Sequence, residues 1–389
     1  MGVSSLQVAN PSMGTVTRAP QTTAATPAAA GVPFARLSRQ GQIFGPSVAG
    51  QAFGSLWTPI LKPVGGYLRS LKFYITASGG SRTAATGSAD APWNTIQNFF
   101  LRDPFGQPIV QCDGYSLFLI NIYGGQVGAL GLGNVPNALP SFSAIAAGTG
   151  AFTFKLEVPL ELDSSGYCSL PDMNASSQPQ VQVQLNTSSV VYTTLTGGSA
   201  DPTLTLSLDE PFWMAPVDNP QAAPADVGSS AQWSVVRAAA GVSSSAYQRI
   251  QLPRVGTYIH TLILVLRDST GARIEAWPTS DLTLWFDGVP ILMETLNERS
   301  DKMFEQYGSQ TASYAGGRPT GVIVYTFRNS IQSFVSNGDT YDLLAPTTPA
   351  TLLEVAGTFG TISNAPATIT TIVGELFPLG GIPYTHLAM

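Results

Sequence analysis

The sequence predicts an all-β fold: two tandem eight-stranded jelly rolls, a double jelly roll, carrying one or two short helices. Three observations lead there. Apolar and polar residues alternate over many short segments separated by turn residues, and the 389-residue chain holds 39 Gly and 29 Pro. That period and punctuation belong to sandwiches and barrels. The order of features in the first half recurs in the second. Each half spans about 170 residues, a length at which eight strands close as two Greek keys.

Residues 1–35 are mostly Ala, Thr, Pro, Ser and Gly. A segment so poor in large apolar residues cannot nucleate a core and reads as a flexible N-terminal arm. Residues 36–209 form the expected first roll. Its clearest strand is Phe152–Leu162, with Phe152, Phe154, Leu156, Val158, Leu160 and Leu162 on one face and Thr153, Lys155, Glu157 and Glu161 on the other. Pro159 marks an edge or a bulge. Leu71/Phe73/Ile75, Val181/Val183/Leu185 and Leu204/Leu206/Leu208 behave alike, as do Leu282/Leu284/Phe286 and Val322/Val324 in the second half. The uncharged span from Tyr115 to Phe154, rich in Gly and Asn, reads as a long ordered excursion covered by a neighbouring molecule.

From Glu210 to Pro224 the chain carries four prolines, which forbid a regular ladder. Residues 210–230 are therefore expected to be a Pro/Ala-rich linker, and 231–389 the second roll with a C-terminal tail. Met293–Tyr307 has no Gly or Pro and places Leu296, Ser300, Met303 and Tyr307 at helical spacing, so it predicts an amphipathic helix.

The repeat rests on two segments. Leu61–Leu71 aligns with Leu252–Leu262 at a constant offset, with Leu, Val, Gly, Tyr and Leu identical in order; Gly65 and Tyr67 correspond to Gly256 and Tyr258. Asp103–Ile109 resembles Asp287–Ile291, with Gly106 and Pro108 in step with Gly288 and Pro290, each a strand turning through a Gly-x-Pro bend. Phe152–Leu162 has a weaker echo in Val322–Phe327. These eight Gly, Tyr and Pro residues are expected to be structural markers of the repeat, with Gly65 and Gly256 at a tight turn.

Composition excludes several functions. Only 11% of residues are charged and the formal net charge is −6, against about a quarter charged in ordinary domains. A chain so poor in charge is expected to hide much of its surface against partners. Four Lys and 14 Arg, with no basic run, argue against nucleic-acid binding, sequence-specific binding included. No apolar run is long enough for a transmembrane helix. The N-terminus does not resemble a signal peptide, and Leu6 stands where a myristoylation pattern needs Ser or Thr.

Catalysis is poorly provided for. His260 lies in a strand pattern where the first half has Arg69, which predicts a surface or interface position; His386 is near the C-terminus. Two histidines cannot furnish a cupin-type metal site. Asp103, Asp113, Asp287 and Glu294 could form a glycosidase-like pair, but Asp before Gly or Pro is ordinary turn chemistry. Asn174 and Asn186 match glycosylation sequons by chance in a Ser/Thr-rich chain. Trp57, Trp93, Trp213, Trp233, Trp277 and Trp285 are scattered as core and interface anchors are. Cys112 and Cys168 are expected to be free buried thiols. No catalytic residue, metal ligand or cofactor is expected, and the chain is not read as an enzyme.

Phe99–Val110 with Asp113–Asn121, then Phe154–Leu162, Gly166, Leu170–Ala175 and the strand Val181–Asn186, resemble the first roll of double jelly-roll major capsid proteins of tectivirus-like double-stranded DNA bacteriophages. The resemblance covers about residues 60–190 and is matched in the second half by architecture. It implies a major capsid protein of the tectivirus and adenovirus lineage, a homotrimer forming pseudo-hexagonal capsomers that tile an icosahedral virion shell. It implies as partners the chain itself, neighbouring capsomers, penton and minor capsid proteins and an internal viral membrane, with synthesis in the host cytoplasm. Three copies of a duplicated domain give six similar lobes, and low charge suits large obligate interfaces. The alternative is a secreted double-sandwich protein that binds or hydrolyses glycans, which would want paired carboxylates beside an exposed aromatic cleft.

Overall fold

A computed structural model describes residues 34–104, 106–124, 136–162, 168–172, 178–216, 229–237, 241–253, 258–308, 318–327, 345–347 and 350–378. The first half contributes β1 (Gln40–Gln51), β2 (Leu56–Trp57), β3 (Gly66–Leu68), β4 (Ser70–Ser78), β5 (Ala84–Gly87), β6 (Ile96–Arg102), β7 (Pro108–Cys112), β8 (Phe152–Pro159), β9 (Leu170–Asp172), β10 (Gln180–Leu185), β11 (Tyr192–Thr196) and β12 (Thr203–Met214). The second contributes β13 (Ser229–Arg237), β14 (Tyr247–Gln251), β15 (Tyr258–Arg267), β16 (Leu282–Phe286), β17 (Val289–Glu294), β18 (Val322–Thr326), β19 (Ala345–Pro346), β20 (Leu353–Thr358) and β21 (Thr368–Pro378). Helices α1 (Phe34–Leu37) and α3 (Ser188–Val191) are single turns, whereas α2 (Gly114–Tyr123) and α4 (Leu296–Tyr307) are longer.

The strand order is the same in both halves. One sheet of the first half runs β1-β12-β4-β8 and the other β2-β10-β6-β7. In the second half the sheets run β13-β21-β15-β18 and β14-β20-β16-β17. Counting framework strands along each half, and leaving aside the short β3, β5, β9, β11 and β19, both orders are 1-8-3-6 and 2-7-4-5. That is a jelly roll made twice. The rolls are not separate sheets side by side: β7 pairs in parallel with β13, fusing one sheet of each roll into a single nine-stranded sheet.

The alternation read in the sequence sets the first core. Along β8, Phe152, Phe154, Leu156 and Val158 are buried, while Thr153, Lys155 and Glu157 alternate with them as half-exposed residues. Strand β15 is different: its residues from Ile259 to Leu266 are buried without a break. Ile263 and Val265 pack into the core of the first roll, with Val322, Val324 and Ile372, whereas Leu262, Leu264 and Leu266 pack into the core of the second. A strand covered on both faces reads as a continuous apolar run.

Three expectations change. The linker does not begin at Glu210: β12 continues through Pro211 to Met214, paired with β1 on one side and β3 on the other. Pro211 is tolerated because it stands where strand three breaks between β3 and β4, its carbonyl accepting from Arg69 N–H at 2.9 Å. Residues 217–228, the remainder of most of that linker, and 1–33 of the arm lie outside the described residues; Phe34 is buried.

The Tyr115–Phe154 excursion opens with α2, which lies in this chain's own core instead of under a neighbour. Tyr115 through Ile120, Ile122 and Tyr123 are buried. Asp113 caps α2 by accepting from Ser116 N–H at 2.7 Å. Asn121 ties it to β8, accepting from Glu157 N–H at 2.8 Å and donating to the Glu157 carbonyl at 2.5 Å. The helix expected over Met293–Tyr307 begins only at Leu296, because Met293 and Glu294 finish β17 and Thr295 forms a capping box with Glu298.

Candidate functional site: the roll junction and the exposed edges

The two rolls of this chain meet in an extended contact. At its centre Trp233 of β13 stands opposite Val110 of β7, and Ser234 opposite Gln111. Trp233 is buried and packs edge-on against the His260 ring, 5.1 Å between centroids. Gly374 of β21 makes room for both: a Cβ there would lie 2.4 Å from His260 Cε1 and 2.6 Å from the Trp233 ring.

A charged clamp lies on the same junction. Asp90 of the first roll bonds Arg267 and Arg273 of the second, at 2.7 Å each. Both guanidiniums also lie over the Tyr115 ring of α2, at 5.4 and 4.7 Å. The helices meet as well: the rings of Tyr123 in α2 and Tyr307 in α4 are 5.0 Å apart, edge to face. These contacts come from backbone pairing, ion pairs and aromatic packing, and so hold the two rolls in one orientation.

Two of the residue pairs marked by the repeat, Tyr67 with Tyr258 and Pro108 with Pro290, can be compared strand by strand. Tyr67 stands opposite Trp213 on one side and Pro171 on the other. Tyr258 stands opposite Leu376 and Pro346. Pro108 pairs with Arg102, and Pro290 with Trp285, at the same step of the same hairpin. Gly65, Gly106 and Gly288 have φ of +63°, +86° and +78°, which only Gly adopts cheaply. Gly256 lies outside the described residues.

Among the described residues, no expected acid or base is left in an open cleft. His260 is not at a surface: it is 1% exposed, because β15 lies inside the nine-stranded sheet between β18 and β21. Asp103 accepts from Gln107 N–H at 2.8 Å in the β6–β7 turn, Asp113 caps α2, and Asp287 accepts from Leu352 N–H at 2.8 Å. Glu294 is buried and bonded to Arg299 and Lys302 at 3.3 and 2.8 Å. Among the described residues no cluster of His, Cys, Asp or Glu has the geometry of a metal site. Cys112 and Cys168 are both buried, and burial together with Asp113 pushes the Cys112 thiol up. Asn186 is engaged by donating to the Asn94 carbonyl at 2.7 Å; Asn174 and His386 lie outside the described residues.

Sequence reasoning missed the apolar edges. Val289, Ile291 and Met293 of β17 are exposed on an edge strand, Phe44 of β1 is 80% exposed, and Ile60 equally so. The only signal was the low charge of the whole chain.

No protein-family model and no curated protein sequence matches the chain. Solved structures do. The major capsid protein of Sulfolobus turreted icosahedral virus superposes with a TM-score of 0.62 at 14% identity, covering 90% of this chain and 99% of that one. This fold is the double jelly roll of viral major capsid proteins. The same protein in the atomic structure of that virus gives 0.60 at 13% identity, covering 90% and 94%. The capsid of PBCV-1 gives 0.60 at 11% identity, covering 87% and 93%. The likeness in each case extends over both rolls, since it spans nearly the whole of either chain.

Proposed function

We propose that this chain is a major capsid protein, and that three copies form a pseudo-hexagonal capsomer tiling an icosahedral virion shell. One observation carries the reading: two rolls of identical strand order, fused at β7–β13, in an arrangement shared along nearly the full length with capsid proteins. Six equivalent rolls from three chains present six similar sides to a lattice, which a single roll per chain would need six copies to do. Low charge and exposed apolar edges fit surfaces that are covered in the assembly. The chemistry of the site agrees, since the titratable groups that could have served catalysis are spent on turns, a helix cap and ion pairs. In this reading the partners are the chain itself, neighbouring capsomers, and penton and minor capsid proteins, with a viral membrane beneath the shell. The arm at 1–33 ties capsomers together.

The test is the solution mass of the purified chain by light scattering. Three copies of 40.8 kDa give about 122 kDa, stable on dilution through the micromolar range. A 40.8 kDa monomer throughout that range contradicts the proposal.

A further inference from the structure

The junction inside the chain leaves one unmatched half at each end. Strand β7, fifth of the first roll, carries β13, first of the second. The fifth strand of the second roll is β17, which among the described residues pairs only with β16. The first strand of the first roll is β1, which among the described residues pairs only with β12.

Strands β7 and β17 match residue for residue. Leu101 faces Val110 and Arg102 faces Pro108, so Ile109 is bulged out of register. Leu284 faces Leu292 and Trp285 faces Pro290, so Ile291 is bulged at the same step. Each strand then runs through two residues to a helix N-cap, Asp113 or Thr295. Their burial is what differs. Ile109 is 4% exposed and Val110 fully buried, whereas their counterparts are more open, Ile291 at 43% and Leu292 half-buried. Gln107 and Gln111 are exposed like their counterparts Val289 and Met293, but those two are apolar. Strand β17 also lacks the outward charge that blunts a solvent-facing edge, its one charged residue being the buried Glu294. Pro290 does not disqualify it, since Pro108 occupies the same place in a strand that is covered.

The register of the missing half follows. Trp213 and Leu376 are equivalent, since Tyr67 faces one and Tyr258 the other. Gln40 lies opposite Trp213 and Ala231 opposite Leu376. Counting along, Gln42 holds the place of Trp233, and Ile43 that of Ser234.

The geometry points to strand addition between copies: the β1 edge of one chain pairs in parallel with β17 of the next, Gln42 opposite Leu292 and Ile43 opposite Met293. The occupant of the β17 edge is a second copy of this chain. The inference rests on the trimer reading and supplies its contact. The contact is head-to-tail, and a trimer built from it has six junctions, three internal and three intermolecular, whose rotation must close the ring.

Two double variants of the full chain test it, Gln42→Cys with Leu292→Cys and Ile43→Cys with Met293→Cys; the native cysteines are buried and do not compete. After mild oxidation, either double variant gives covalent dimers and trimers on a non-reducing denaturing gel. They are absent from the four single variants and are reversed by reductant. A mass near 122 kDa with no covalent product from either pair overturns the strand addition and leaves the trimer standing. A monomeric mass for the unsubstituted chain removes both.

Discussion

Arg69 and His260 hold the same position in the two rolls. Each is the residue at which the third strand slips by one against the eighth: Leu68 faces Phe212 and Lys72 faces Asp209, while Ile259 faces Glu375 and Thr261 faces Gly374. Each offers its carbonyl to the first residue beyond the sixth strand, Arg69 to Leu160 N–H and His260 to Phe327 N–H, both at 3.1 Å. The side chains have diverged on this common backbone. Arg69 bonds Glu161 at 2.5 Å and lies 4.7 Å over the Trp213 ring, with Trp213 Nε1–H donating to Glu161 at 3.0 Å. His260 is shut into the roll junction against Trp233. A bulge retained with unrelated side chains supports descent of both rolls from one unit.

The Asp90 clamp predicts a large effect from one substitution. Asp90→Ala leaves Arg267 and Arg273, only 14% and 8% exposed, without their shared carboxylate. Stripping a buried pair of one partner costs about 3 kcal/mol. Calorimetry should show a melting temperature lower by several degrees, and an unchanged midpoint would remove the clamp from the account of the junction.

Two adjacent glycines should differ. Gly65 has φ of +63° with nothing near its missing Cβ, so Gly65→Ala pays only backbone strain, about 1–2 kcal/mol. At Gly66 a Cβ would sit 2.0 Å from the Trp213 carbonyl oxygen, so Gly66→Ala must push β3 off β12. Denaturant titration should rank Gly66→Ala as the more damaging, and the reverse order would show that the β3–β12 approach is not tight.

The N-terminal boundary can be placed by truncation. Phe34 packs edge-on against Tyr67 and Trp213, at 5.4 and 6.1 Å. Removing residues 1–33 should leave thermal stability unchanged and impair shell assembly, whereas removing 1–37 should cost about 1.5–3 kcal/mol, the value of burying a Phe side chain. Equal melting temperatures for the two truncations would contradict Phe34 as an anchor.

Glu210 predicts a pH dependence. Its carboxyl is pushed up to about 7, chiefly by burial, against an ordinary 4.5. The folded state therefore keeps a proton that the unfolded state releases, so this group's contribution falls as pH rises from about 4.5 to 7. Glu210→Gln cannot ionise, and its stability advantage over the natural chain should grow across that window. A difference that stays constant with pH would show that Glu210 titrates normally.

The sequence shows most plainly what is local. The alternation of β8 and the Gly-x-Pro bends at Gly106 and Gly288 are written in adjacent residues, and they place the strands of both rolls. Helix α2 leaves no amphipathic stripe because it is buried on nearly every side, so its segment reads only as part of a long ordered excursion. His260 reads as a surface or interface position because its neighbours in the chain say nothing of β21 or Trp233, which cover it. The β7–β13 pairing joins residues more than a hundred positions apart, and no local pattern announces it. The apolar edge at Val289, Ile291 and Met293 was hidden for a related reason: its alternation looks like any half-buried strand until the topology leaves it outermost.

The central claim is that the two rolls are equivalent tiles in one ring. The most direct measurement is electron microscopy of the purified oligomer, with end-on views averaged without imposed symmetry. Six lobes of near-equal size, alternating in fine detail with threefold symmetry, are predicted. Averages with two lobes, or with an open chain of rolls in place of a closed ring, would contradict it.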